Sequence, residues 1–422
     1  MTGTLHTPST APGKTVRASR VPVALRSLRH TSFSLFWFAQ IISTTGTWMQ
    51  GMALSWLVFK LTGSPLYLGL VATAGTLPTL VLSLPSGVLA DRFSKRRIVI
   101  VTQALAMFHA AVLAALAYTG MIEVWHILVL ALFIGAVNAV DIPTRQSMVI
   151  ELVGREDLLN AVSLNSAVFN VTRLIGPALA GVVVAGYGAA ACFTINCVSY
   201  LAAIAALLLM RCQPPSAESK AGSMLQQTKQ GLDYIVGDRV VRDLLILTGV
   251  ASVFVLQYGT QIPAFALEVF DVGAKGQGIL MSAAGLGALM AAAVVAAFGH
   301  RCHQGTMVLA GALVIPAGLI AFSLAPSYHI AAACLVVAGF GVMSFLAVSN
   351  SIIQAASPDA LRGRVVSVRA FVSMGFAPLG ALLVGFIAEY AGIRQSVLAG
   401  GVVFLFAAVH FAARSRSIRR AH

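Results

Sequence analysis
The chain has 422 residues, of which 58% are hydrophobic and only 10% charged, and its formal net charge is +14. A soluble domain carries about 25% charged residues, so a chain this apolar must be solvated largely by lipid. The positive charge does not point to nucleic acid, because the bases cluster at the ends of apolar runs, which is the membrane pattern.

Residues 1–33 form a polar, basic, Pro/Ser/Thr-rich segment without the apolar stretch of a signal peptide. It is expected to be a disordered cytoplasmic tail with a short interfacial helix near Val21–His30. Crossing hydrocarbon about 30 Å thick takes about 20 apolar residues. Twelve such runs follow, near 34–59, 66–90, 98–119, 124–142, 163–186, 190–210, 244–268, 277–299, 306–325, 330–355, 367–389 and 396–413. The short fourth run is expected to continue as helix beyond the membrane. The only long polar break, 211–243, divides the runs six and six. The expected organisation is all-α and integral to the membrane. A six-helix bundle over 34–210 is followed by a cytoplasmic linker over 211–243, a second bundle over 244–413 and a tail over 414–422. With the N-terminus inside, 24 of the 28 bases lie in cytoplasmic segments, Lys60, Lys275 and Arg394 lie outside, and Arg173 lies within a span. Both termini are therefore expected in the cytoplasm. The five cysteines form no CxxC pair and imply no disulfide framework.

The halves repeat weakly. "SLNSAVFNVTRLIGPALAG" (Ser163–Gly181) and "SVRAFVSMGFAPLGALLVG" (Ser367–Gly385) share a Ser and two Gly at one offset of 204. Such repeats mark transporters built from two similar bundles.

The stretch "GVLADRFSKRR" (Gly87–Arg97) resembles the loop motif between the second and third helices of the major facilitator superfamily, with Ser94 where the family usually has Gly. "GTWMQ", "LTGSPLYLGLV", "DIPTRQS", "ELVGREDLLNAVSLNS", "RLIGPALAG" and "SPDALRGRV" resemble its bacterial enterobactin-exporter-like branch, which also contains drug and macrolide efflux proteins. The likeness covers nearly all of the chain after about residue 28. It implies twelve helices in two bundles related by a pseudo-two-fold axis. The first, fourth, seventh and tenth helices would line a central cavity.

Asp91 ends an apolar helix, where the macrodipole disfavours an acid by roughly 0.3–1 kcal/mol, and Arg92 at i+1 does not face it. It needs a donor from elsewhere. The resemblance implies a cytoplasmic gate of Gly87, Asp91, Arg92, Arg96 and Arg97, with Arg145 and Arg364 as cross-bundle partners. The plainer reading is that these bases only set topology.

Within the spans, Asn138, Asp141 and Arg145 share one face of the fourth helix. An intramembrane carboxylate is costly and is a functional candidate by default. A structural ion pair is the alternative. In the fifth span, Asn165, Ser166, Asn170 and Arg173 share a face, and Arg173 is read as an anion ligand, a partner of Asp141 or a structural ion pair. Asp141, Arg173 and, next in line, Glu268 are the coupling candidates. Other cavity candidates are Gln40, Thr44 and Thr47 in the first span, Gln257, Tyr258 and Gln261 in the seventh, and Asn350 and Gln354 in the tenth.

No cofactor is implied. "PGKT" at Pro12 lacks the first glycine of a phosphate loop, and His300, Cys302 and His303 are too few ligands for a metal. His109 reads as a satisfied core histidine. No hydrolase motif is present, so an enzyme is not expected. The expected function is a secondary transporter of the inner membrane that exports an amphipathic small molecule (a drug, macrolide or siderophore) by alternating access. Protons are its coupling ion, the lipid bilayer its solvent and a monomer its form, without nucleic acid as partner. The alternatives are an importer or uniporter of a metabolite, or a non-transporting membrane sensor.

Overall fold
A computed structural model of the protein describes residues 23–210, 233–299 and 303–414, leaving aside the side chains of 23, 24, 83–92, 155, 359 and 360. In hydrocarbon a backbone must satisfy its own hydrogen bonds, and the described chain accordingly folds into twelve long helices. They are α1 (Thr31–Thr62), α2 (Pro65–Arg92), α3 (Lys95–Tyr118), α4 (Val124–Gly154), α5 (Glu156–Tyr187) and α6 (Ala189–Leu209) in the first half. The second half contains α7 (Arg239–Val269), α8 (Gly273–Phe298), α9 (Gln304–Leu324), α10 (Tyr328–Ala356), α11 (Leu361–Ala391) and α12 (Ile393–Arg414).

Among the described residues, eleven of the twelve are long and apolar enough to cross a membrane. The other, α1, has the length, at 32 residues, but carries Gln40, Ser43, Thr44, Thr45, Thr47 and Gln50. As expected, α4 continues past its apolar run, for 31 residues in all. It turns into α5 at Gly154, which has φ 73° and ψ 177°. A side chain there would be strained, so this glycine makes the corner.

A short helix was expected near Val21–His30, and the described chain begins with one. A 3₁₀ helix over Val23–Arg29 lies against the start of α5, because the buried Asp157 carboxylate collects Arg26 (2.9 Å), Arg29 (3.1 Å) and His30 (2.8 Å).

The halves are built alike. Helix α1 packs on α5, α2 on α4, and α3 on α4 and α6; α7 packs on α11, α8 on α10, and α9 on α10 and α12. The repeated glycines locate the axis. A Cβ on Gly176 would press into Trp48 of α1, and one on its counterpart Gly380 into the Ser252 and Val253 carbonyls of α7. A Cβ on Gly181 would stand 3.3 Å from Gly278 Cα of α8, and one on its counterpart Gly385 3.2 Å from Gly69 Cα of α2. The fold is therefore two six-helix bundles about a pseudo-two-fold axis. They join where α5 crosses α8 and α2 crosses α11, and small residues let backbones meet there. Both crossings lie at the distal end, which carries the α1–α2 and α7–α8 connections, away from the terminal end that carries Val23 and Arg414.

Candidate functional site
The densest polar cluster lies inside the first bundle. Asp141 of α4 is 4% exposed. Its Oδ1 accepts from Thr102 Oγ1 (2.6 Å) and Gln103 Nε2 (3.1 Å) of α3, and its Oδ2 accepts from Arg145 Nη2. Arg145 also donates to Gln40 Oε1 of α1 at 3.0 Å. Asp141 is thus paired four residues along its own helix, rather than with Arg173. Gln40, Gln103 and Arg145 line a small pocket with Phe36, Val99 and Ala203.

Toward the distal end a second chain of polar groups crosses the same bundle. Asn196 Nδ2 donates to Gln50 Oε1 (2.9 Å), and Gln50 Nε2 lies 3.4 Å from His109 Nδ1. An amide nitrogen only donates, so His109 is the neutral Nε2–H tautomer. That N–H is buried without a partner, so His109 is half satisfied rather than fully so. Gln50 and Asn196 escaped the sequence reading because a single amide in an apolar run carries no periodic signal.

Between the bundles, α7 is broken. It passes from α-helix at Phe254 through a 3₁₀ stretch, Leu256–Gln261, to a π turn, Phe265–Val269. Discontinuous helices of this kind recur at the binding sites of secondary transporters. The break presents Tyr258, Gln261 and Gln257. Arg173 of α5 stands close to the Tyr258 side chain across the two halves. Gln261 is fully buried; its Nε2 reaches Pro65 O at 3.5 Å, and its Oε1 has no partner. Gln257 donates to the Ser252 carbonyl at 3.5 Å.

The other candidates scatter. Thr47 donates to Ser43 O (2.9 Å) and Asn170 to Ser166 O (2.8 Å), each within its own helix, as such side chains often do. Asn165 is half-buried with an unpartnered Oδ1. Thr44, Asn138, Asn350 and Gln354 are half-buried. Glu268 is exposed in the π turn.

Of the gate motif, the side chains of Gly87, Asp91 and Arg92 lie outside the described residues. Arg96 donates to the Leu207 (2.6 Å) and Leu208 (2.7 Å) carbonyls and so caps α6. Arg97 is exposed and Arg364 half-buried.

Two further groups were not singled out from the sequence. Glu389, at the distal end of α11, accepts from Ser64 Oγ (2.6 Å) and from the Leu66 backbone N–H (3.2 Å) at the start of α2. It completes a line of bonds between the halves with Thr73 to Pro378 O (3.0 Å) and Gln277 to Ser55 Oγ (2.9 Å). Arg369 of α11, counted from the sequence as a topology base, is half-buried. Its Nη2 donates to Leu346 O of α10 at 2.9 Å, while its Nε is buried without a partner.

Comparison with known proteins agrees with this architecture. A family model of the superfamily, described as "Transmembrane secretion effector", matches residues 23–419. The chain is 25% identical over 374 residues to the multidrug efflux pump Tap of Mycolicibacterium fortuitum, covering 86% of this chain and 91% of that one. It is 25% identical over 371 residues to the staphyloferrin A transporter of Staphylococcus aureus, covering 87% and 92%. Among solved structures, a bacterial homologue of the lysosomal transporter Spinster, inward-facing and unoccupied, superposes with a TM-score of 0.72 at 15% identity over 94% of this chain and 98% of that one. Two pseudo-symmetric bundles, a broken seventh helix and a family match over almost the full length converge. The chain is a multi-pass membrane protein of the transmembrane secretion effector family, within the major facilitator superfamily of transporters.

Proposed function
We propose that the chain is a proton-coupled exporter of amphipathic small molecules, of the drug, macrolide or siderophore kind, acting by alternating access in the bacterial inner membrane. Both termini face the cytoplasm. The bundles 34–210 and 244–413 move against each other, tethered by the cytoplasmic linker 211–243.

The observation that carries the coupling is Asp141, a carboxylate inside a span, buried and held by three donors. An opposite charge keeps a buried carboxylate ionised, and loss of that charge lets desolvation favour the protonated form. Because Arg145 stands on the same helix as Asp141, rotation of whole bundles does not separate them. The switch is a swing of the Arg145 side chain, which is also tied to Gln40 on the cavity-lining α1. A proton takes its place on Asp141, with Thr102 and Gln103 still in reach.

The glycine crossings and the Glu389 and Gln277 bonds gather at the distal end, which the distribution of bases assigns to the outside. That arrangement supports a state closed outward, in which an exporter loads from the cytoplasm. The cytoplasmic gate, formed by Asp91 with Arg364, closes in the opposite state.

In proteoliposomes, Asp141→Asn is expected to lose uphill export driven by a pH gradient and to keep downhill exchange. Full proton-driven export by this variant would move the coupling site elsewhere, to Glu268 first. Cysteines beside Lys275 and Arg394 should label from outside, and cysteines beside Lys95 and Lys229 only after the membrane is opened. The reverse pattern would overturn the orientation.

A further inference from the structure
We propose that the substrate carries negative charge and that Arg369 is the residue that binds it, with Arg173 as the second cation of the same path. This rests on the transport reading above.

The argument begins with charge. From Leu244 to Ala388 the chain holds only three acids, Glu268, Asp271 and Asp359, and each lies at a helix end or in a loop. The apolar middle of the second bundle therefore contains no carboxylate. Arg369 nonetheless lies inside α11, about two turns past its first residue. In the first bundle the corresponding problem is solved internally, because Asp141 neutralises Arg145. No acid is within the means of the second bundle.

Structural duties do not explain the group either. Arg96 and Arg394 each donate to the last carbonyls of a helix, those of α6 and α9 respectively, where free acceptors and the dipole favour a cation. Arg369 instead meets Leu346, ten residues before the end of α10. A carbonyl there is already engaged by its own helix. The guanidinium keeps its buried Nε–H unpartnered. A planar fork with a free donor is the shape that receives a carboxylate in two bonds. An intramembrane cation of this kind marks a substrate path by default.

The placement fits. One turn beyond Arg369, Val372 packs on Gly249 of α7, and the Ser373 carbonyl accepts from Ser252 of α7. Arg369 thus lies where α7, α10 and α11 converge, one turn along α10 from Asn350. Arg173 stands close to Tyr258 in the broken stretch of α7, and the turn of α11 after Arg369 packs on the same helix. A substrate with one anionic group and an apolar body would satisfy Arg369 first and then meet Arg173 at the joint between the bundles.

The test uses two xanthene dyes of similar size and opposite charge, carboxyfluorescein and rhodamine 123, with the full chain. Binding is measured in detergent and transport in proteoliposomes. Carboxyfluorescein should bind saturably and rhodamine 123 weakly or not at all. Arg369→Gln should weaken carboxyfluorescein binding at least about tenfold, Arg369→Lys should retain part of it, and ligand-free melting temperatures should stay close to the parent's. Tighter binding of rhodamine 123, no binding of either dye, or unchanged carboxyfluorescein binding in Arg369→Gln would overturn the proposal. So would a loss in Arg369→Gln that follows a fall in melting temperature and is restored in full when the fold is stabilised by lipid. Proton-driven transport of rhodamine 123 with these arginines replaced would sink the anionic substrate and leave export standing. Binding of carboxyfluorescein without any transport would sink export and leave the anion site.

Discussion

The two bundles share a backbone plan and differ in how each treats buried charge. In the first, Arg145 and Asp141 neutralise each other on one helix, and Thr102, Gln103 and Gln40 absorb the remaining donors and acceptors. In the second, Arg369 has a carbonyl and no acid, and the middle of every helix lacks a carboxylate. Duplication of a fold thus does not duplicate its electrostatics. A bundle with its own counterion can exchange a proton for that counterion. A buried cation without one, such as Arg369, has charge left for a ligand.

The largest expected effect breaks the first side of this comparison. Arg145→Ala leaves Asp141 buried without its counterion, and breaking a buried pair from one side costs about 3–5 kcal/mol. Unfolding in detergent should show a loss of that order. Pairing the change with Asp141→Asn should restore much of it, since neither residue is then a buried lone charge. Additive losses in the double variant would mean that the pair is not energetically coupled.

A middle-sized effect tests whether the halves are truly alike outside their charges. Gly181 and Gly385 occupy equivalent positions and each meets a glycine of the other bundle. Gly181→Val and Gly385→Val should each cost roughly 1–3 kcal/mol by overpacking, and each should raise distal accessibility to a cysteine probe. A large effect at one site and none at the other would show that only one crossing holds the halves together. The glycines would then be relics of the repeat.

Much of this was legible in the sequence because lipid imposes a simple rule. Each span must be a long apolar helix, so all twelve helices were found, although α4 ends well beyond its run and α5 and α11 begin several residues before theirs. The crossing glycines were also visible, through their common offset. What stayed hidden was partner choice. Asp141 has an arginine four residues along its helix and another one helix away, and only packing against α3 decides between them. Arg369 was counted only as a base on the cytoplasmic side, because it lies eight residues from the start of a span and close to Arg362 and Arg364. The signal was available, since the apolar run of α11 begins before it. The break in α7 had only Gly259 and Pro263 to announce it.

The smallest effect concerns the distal closure that both bundles share. Glu389 stands at the C-terminal end of α11, where its own helix dipole disfavours an acid, and it is stabilised by the N-terminus of α2 through Ser64 and the Leu66 N–H. The family resemblance implies the same arrangement, reversed, at the terminal end, with Asp91 closing α2 and Arg364 near the start of α11 as its receiver. One antiparallel helix pair would then carry an acid latch at each end, with one closed while the other is open. Glu389 is exposed, and an exposed charged contact contributes little to stability. Glu389→Gln should therefore leave the melting temperature nearly unchanged while raising, a few-fold, the rate at which a cysteine beside Ser64 is labelled from the distal side. Asp91→Asn should move the same rate the other way. If both substitutions shift labelling in the same direction, the two acids do not oppose each other, and the pair α2–α11 is a fixed seam rather than the element that alternates.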